Sequence, residues 1–207
     1  MRIGLACEAG APPPADVLDL LEAACLPAAS VRGRAAPALV ADGSVTWLLG
    51  SPGDVLRALD RGALDAGVVG SDRLLEDRLG VADLLDLRCA GDDLVVALTP
   101  AGGRPDRRPR VATRHPHTAR RHFAAGGAQP EILVADEPLL AVALGFADGV
   151  AELRSRLAAF PDAPVLLERE VVAACSAHLL ASRAARVLLS EEINALAERL
   201  RAAVEEK

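Results

Sequence analysis

The chain has 207 residues, 51% of them hydrophobic, and a formal charge of −6, which suits one large or two small globular domains with a sizeable core. Only four aromatic residues, Trp47, Phe123, Phe146 and Phe160, and no tyrosine weigh against a base-stacking platform for single-stranded nucleic acid, and the acidic balance weighs against bulk nucleic-acid binding. No run of about 18 apolar residues marks a membrane span and the opening MRIGLAC reads as a strand, so a cytoplasmic protein is expected.

Arg2 to Cys7 alternates Ile3, Leu5 and Cys7 as a strand does, and Ala15 to Leu26 puts Val17, Leu18, Leu21, Ala24 and Cys25 on one helical face. Pro27 to Gly43 has little period and reads as loop with at most one poor strand. Val45 to Leu49 is a β-run, and Ser51-Pro52-Gly53-Asp54 starts a helix with a hydroxyl cap, proline at the first position and a carboxylate at the third, running to Gly62. Asp65 to Val69 is a buried strand that Gly70-Ser71-Asp72 turns into another helix ending near Gly80. There a glycine and a helix start suit an anion or a polar ligand edge.

Leu94 to Leu98 is a third apolar strand, and the Gly, Pro and Arg-rich loop Thr99 to Pro109 reads as a domain boundary. Beyond it, strand Arg110 to Thr113, helix Pro116 to Ala125, strand Glu131 to Val134, helix Leu139 to Leu144 and strand Gly149 to Leu153 alternate again. Val165 to Ala173 and Ala177 to Ala181 read as extended, and Ser190 caps a final helix, Glu191 to Glu206, with Ile193, Leu196, Ala197 and Leu200 on one face. The architecture expected is two α/β lobes.

Candidate chemistry concentrates in the second half. The cysteines Cys7, Cys25, Cys89 and Cys175 have no CxxC spacing, so buried thiols are expected and neither zinc nor a disulfide framework is suggested. No serine sits in a Gly-x-Ser-x-Gly elbow. His115, His117 and His122 lack a metal-helix spacing and read as solvated, and His178 reads as a satisfied core histidine. Seven arginines between Arg104 and Arg121 make a local basic stretch, and the helix opened by Thr113-Arg114-His115-Pro116, with Arg120 and Arg121 further on, suits a phosphate. Asp148 and Glu152, four apart around a turn, could face one ligand and hold ribose hydroxyls or magnesium; surface arginines and an isolated carboxylate pair are the plainer readings.

The order GALDAGVVGSDRLLE, LVVAL, RVATRHPHTARRHFAAGG, ALGFADGVAEL and a capped last helix resembles the short form of ATP phosphoribosyltransferase, the first enzyme of histidine biosynthesis. VATRHPHTARRHF is the most specific of these stretches. The resemblance implies a two-lobed, periplasmic-binding-protein-like (type II) α/β fold with the active-site cleft between lobes, lobe I being 1–92 plus about 166–207 and lobe II, the donor-site lobe, about 93–165. It implies transfer of phosphoribosyl from phosphoribosyl pyrophosphate to N1 of ATP, magnesium (Mg2+) on the pyrophosphate, a histidyl-tRNA-synthetase-like regulatory subunit and an oligomer. Substrate-binding residues implied are Gly67, Gly70 and Asp72 in the first lobe and Thr113, Arg114, Arg120, Asp148 and Glu152 in the second, Glu152 standing one carbon longer than the family's Asp.

Departures from the family pattern are several. Cys7-Glu8-Ala9 stands for Lys-Gly-Arg, Ser51 for an arginine and Asp136-Glu137-Pro138-Leu139 for Gly-Ser-Val-Glu. The phosphate loop Ser-Thr-Gly-x-Thr is replaced by Ser155-Arg156-Leu157-Ala158-Ala159. Arg154, Ser155 and Arg156 are therefore the residues expected to hold the donor phosphate in another way. A non-catalytic paralogue that binds a ligand or partner, or an enzyme with another acceptor, is the alternative.

Overall fold

The computed structural model describes residues 1–77, 79–100, 108–159 and 164–206. They form two compact units, Met1–Gly91 with Ser176–Lys207, and Asp92–Cys175. The first contributes β1 (Arg2–Ala6), α1 (Ala15–Ala23), a 3-10 turn (Ala28–Val31), β2 (Ala38–Asp42), β3 (Val45–Gly50), α2 (Pro52–Asp60), β4 (Ala66–Gly70), α3 (Ser71–Glu76) and β5 (Ala82–Asp86). The second holds β6 (Asp92–Leu98), β7 (Arg110–Thr113), α4 (Pro116–Ala125), β8 (Glu131–Val134), α5 (Pro138–Ala143), β9 (Gly149–Leu153), α6 (Arg154–Ala159) and β10 (Leu167–Cys175). The chain returns to the first unit with β11 (Ala177–Ala181), α7 (Arg183–Leu188) and α8 (Ser190–Glu205).

In the first unit the sheet order is β2-β3-β1-β4-β11-β5, with β1 parallel to both β3 and β4 and β11 antiparallel to β4 and β5. Central strands buried on both faces carry continuous apolar runs, as AGVVG does in β4. One face packs Ile3, Leu5, Trp47 and Leu179 against Leu18 and Leu21 of α1 and Ile193, Leu196 and Leu200 of α8. The other packs Val69 and Leu180 against Val55, Leu56 and Leu59 of α2. Adjacent Leu179 and Leu180 thus serve opposite faces, as the two-residue period of a strand requires. Ser51 starts α2 as its sequence predicts: its Oγ accepts from the Asp54 amide at 3.2 Å and Pro52 opens the helix.

The second sheet has the order β10-β6-β9-β7-β8. Strand β7 is parallel to β8 and β9, while β6 is antiparallel to β9 and β10. Ala112 and Val150 pack with Leu139 and Val142 of α5, whereas Val111 and Ala151 pack with Ala119 and Phe123 of α4. The two crossover helices therefore cover opposite faces. Among the described residues no helix is long and apolar enough to cross a membrane.

Several elements differ from the sequence expectation. The stretch 27–43 contains the 3-10 turn and β2, whose pairing with β3 supplies the order its composition lacks. Strand β5 and helices α6 and α7 carry no period long enough to announce themselves. Helix α3 ends at Glu76, with Asp77 already extended, and Cys25, expected on the buried face of α1, is exposed past its end at φ 58°. Strand β10 lies in the second unit, since it pairs with β6 from Leu167 to Cys175. The boundary loop Thr99 to Pro109 falls mostly on 101–107, outside the described residues.

Candidate active site

Ligands of open parallel sheets bind outside the carboxyl ends of the strands, where the strand order reverses. In the second unit that point is fixed by the topology. From β7 the chain moves to β8 on one side, then crosses back to β9 on the other. The carboxyl ends of β7 and β9 are thus neighbours that feed helices on opposite faces, and Thr113 pairs in register with Ala151.

Thr113 is fully buried. Its Oγ1 donates to the Ala151 carbonyl at 2.7 Å and accepts from the His115 amide at 2.9 Å, locking the end of β7 to β9 and to the start of α4. Its role is to hold the turn. The next residue, Arg114, reaches across so that its Nε donates to Glu152 Oε2 at 3.1 Å. Arg156 approaches the same oxygen, Nε at 4.0 Å, and its Nη2 donates to Glu137 at the cap of α5 at 3.4 Å. The Glu152 side chain is 1% exposed, Arg114 23% and Arg156 22%. Glu152 is therefore a buried carboxylate aligning two guanidinium groups that themselves reach solvent, and its other oxygen accepts from the Leu153 amide at 2.9 Å. Guanidiniums fixed in this way at strand ends suit a planar, bidentate anion.

The flanking residues are engaged with carboxylates. Arg154 Nη2 and Nε donate to Glu168 at 2.8 and 3.0 Å, and Nη1 donates to Asp93. Its hydrogen bonds to Glu168 and then to Asp93 push its guanidinium pKa up, and Arg154 holds the Glu168 carboxyl below its usual range. Ser155 donates its amide and its hydroxyl to the two oxygens of Asp92, at 3.2 and 2.5 Å. No sequence motif points to Asp92, Asp93 or Glu168. The adjacent acids Asp92 and Asp93 at the head of an apolar strand are the one signal available.

Asp148 lies elsewhere. It sits before the amino end of β9, about 13 Å along the strand from Glu152 at roughly 3.3 Å per residue, so the two carboxylates do not share a site. Its Oδ2 accepts from the Arg110 amide at 2.8 Å and from Arg110 Nε at 3.4 Å, while Arg110 Nη2 donates to the Gly145 carbonyl at 2.8 Å. This clasp closes the loop between α5 and β9. Asp148→Asn is expected to cost about 1.5–3 kcal/mol, the scale of hydrogen bonds to a charged group, and to leave binding at the carboxyl ends intact. Chemical denaturation alongside ligand calorimetry checks both, and a lost ligand with unchanged stability would return Asp148 to the site.

Arg120 is also displaced from the strand ends: it lines a groove with Phe123, Gln129 and Ile132 near the amino end of β8. In the first unit the order likewise reverses between β1 and β4, which brings the turn Gly70-Ser71-Asp72 to the carboxyl end beside β1. The Asp72 carboxylate, 8% exposed, folds back over Gly70 and leaves no room for a Cβ there. Gly67 sits within β4, where a Cβ would lie 3.0 Å from Leu59 and 3.3 Å from the Gly4 carbonyl. It is a packing glycine for α2.

His115, expected to be solvated, is 1% exposed at the cap of α4, and His178 pairs with Asp83 at 2.9 Å. Burial pushes the Cys7 thiol up to about 11, an inert group. Among the described residues no three His, Cys, Asp or Glu side chains are placed to hold a metal ion.

The sequence matches the family described as ATP phosphoribosyltransferase over residues 51–202. It is 30% identical over 192 residues to an ATP phosphoribosyltransferase of Geobacillus kaustophilus, covering 91% of this chain and 92% of that one. To another, from Anaeromyxobacter dehalogenans, it is 36% identical over 158 residues, 74% of this chain and 71% of that one. In fold it is similar to a structure of the ATP phosphoribosyl transferase (HisG:HisZ) complex from Thermotoga maritima, with a TM-score of 0.73 at 17% identity over the whole of both chains. The periplasmic aliphatic sulphonate binding protein SsuA from Escherichia coli also matches, TM-score 0.60 at 14% identity, over 99% of this chain and 72% of that one. The fold is thus shared with periplasmic binding proteins.

Proposed function

The chain belongs to the ATP phosphoribosyltransferase family, and on that premise we propose that it transfers the phosphoribosyl group of phosphoribosyl pyrophosphate to N1 of the ATP adenine, in histidine biosynthesis. The N1 lone pair forms the new bond to ribose C1 as the bond from C1 to the pyrophosphate oxygen breaks, and its electron pair leaves on pyrophosphate. Such a displacement depends on positioning and on cations at the anionic donor. The observation that carries the reading is the pair Arg114 and Arg156 organised around buried Glu152 where the strand order reverses.

In this reading Arg114 and Arg156 receive an anionic group of the donor. Glu152 acts through them as a positioning residue, and Thr113 fixes the turn from which Arg114 projects. Gly70 and Asp72 supply a polar ligand edge in the first unit. Arg114 and Arg156 meet the anionic charge of the donor, and a magnesium ion carried in with it would lower the charge left for them to neutralise. The Thermotoga maritima structure is of a HisG:HisZ complex, which supports assembly with a partner subunit; a histidyl-tRNA-synthetase-like identity for that subunit and a cytoplasmic location belong to the same proposal.

The test is to incubate the purified chain with magnesium, phosphoribosyl pyrophosphate and ATP, alone and with a candidate regulatory subunit. Phosphoribosyl-ATP and pyrophosphate are expected in equal amounts. Absence of both products, together with no calorimetric binding of the donor in either mixture, would overturn the reading.

A further inference from the structure

We infer that Asp92 is a specificity-determining residue of the second unit: it occupies, as a built-in carboxylate, the donors of the β9 turn that would otherwise take a phosphate, and so weakens binding of phosphorylated ribose there. The inference rests on the functional reading above.

The carboxyl end of β9 leads into Arg154, Ser155 and Arg156, beside the end of β7 that carries Arg114. A backbone amide, a hydroxyl and arginines at such a strand end form a set of donors suited to phosphate oxygens. In this chain two parts of that set are already engaged. Both oxygens of Asp92 are used on Ser155, one on the amide at 3.2 Å and one on the hydroxyl at 2.5 Å. This is the two-oxygen, two-donor pattern that a phosphate would make. Arg154 is enclosed by Asp93 and by both oxygens of Glu168.

The segment between Asp92 and Ser155 thus has three carboxylates against one guanidinium. An incoming phosphate must displace Asp92 from Ser155 and then sit beside the displaced charge. The antiparallel ladder of β6 and β9 pairs Leu94 with Leu153, so Asp92 is delivered to the turn by backbone register and cannot move far from it. Arg114 and Arg156 are paired as well, both with Glu152 and Arg156 also with Glu137. The surplus of carboxylates lies on the Ser155 side, with Asp92, Asp93 and Glu168, and discrimination against phosphate is expected there.

The experiment is calorimetric titration of the full chain with ribose 5-phosphate, with ribose as the control for the sugar, in the absence of ATP and magnesium. Asp92→Asn keeps an amide oxygen for the Ser155 amide while removing the charge, and Asp92→Ser replaces both carboxylate oxygens by one shorter-reaching hydroxyl; thermal melting checks that each is folded. Both are expected to bind ribose 5-phosphate at least tenfold more tightly than the parent, with ribose unchanged. Glu170→Gln removes the same charge from β10 without touching Ser155 and is expected to bind as the parent does. No gain in either folded Asp92 variant overturns the inference, as does an equal gain in Glu170→Gln, which would make the effect one of net charge. Turnover is a separate readout: a gain in ribose 5-phosphate binding leaves the inference standing whether or not phosphoribosyl-ATP forms, and turnover with unaltered binding overturns the inference while leaving the proposed reaction in place.

Discussion

Gly149→Ala is expected to destabilise the second unit by about 3 kcal/mol, the upper end of the usual cost of forcing extra volume into a packed core. A Cβ at this position would lie 2.5 Å from the Ala97 carbonyl oxygen and 2.9 Å from the Leu98 Cα. Both are backbone atoms of β6, and Leu98 is the register partner of Gly149. Relief therefore requires opening the ladder between β6 and β9, the pairing on which the arginine-bearing strand ends depend. Gly145→Ala is the comparison. Gly145 has φ 76°, and nothing lies within 4 Å of the point where a Cβ would stand, so alanine there costs only the left-handed backbone penalty of roughly 1–2 kcal/mol. Thermal melting separates the two, with a fall on the order of 10 °C expected for Gly149→Ala. A Gly149→Ala melt no lower than that of Gly145→Ala would show that the strands part more easily than the close approach implies.

Glu152→Gln is expected to raise the donor KM on the order of 100-fold, because small misplacements of positioning groups cost that much. The amide still accepts from one arginine but no longer neutralises two. Arg114 and Arg156 would then face each other as like charges around a neutral group. Both are about a quarter exposed, so water screens part of the repulsion and the stability loss is about 2 kcal/mol, below the 3–5 kcal/mol of a fully buried broken pair. Glu152→Asp keeps the charge and should recover much of the affinity. Steady-state kinetics on the three proteins decides the matter: a Glu152→Gln enzyme with parental KM and reduced kcat would place the carboxylate at the reacting atoms, and unchanged values of both would remove it from the site.

The alternation of strands and helices, and the family likeness, were legible because the central strands are apolar runs bounded by glycine, proline and hydroxyl caps. Arg114 and Glu152 were legible as residue types. Their contact was not, since it joins positions 38 residues apart through strand pairing that no local pattern specifies. Asp148 and Glu152 illustrate the opposite error: spacing of four on a chain suggests proximity, yet along a strand it places two side chains on one face at opposite ends. Arg154 shows a third limit. A new cation in a phosphate loop suggests anion binding, whereas Asp93 and Glu168, from β6 and β10, had already taken its hydrogen bonds. Which acids reach a basic residue is decided by register.

The irregular register of β10 bears on self-association. Its pairing with β6 shifts between Glu168 and Glu170 and again between Val171 and Ala173, and among the described residues it is the last strand at that margin of the sheet. An added strand from another molecule needs evenly spaced amides and carbonyls along that margin. Two interruptions within nine residues break the spacing, and the charged run Glu168-Arg169-Glu170 adds a desolvation cost to any chain that docks there. The strand that supplies Glu168 to Arg154 therefore also makes its own margin a poor template for a further strand, so that edge protection and the electrostatics of the β9 turn draw on the same few residues.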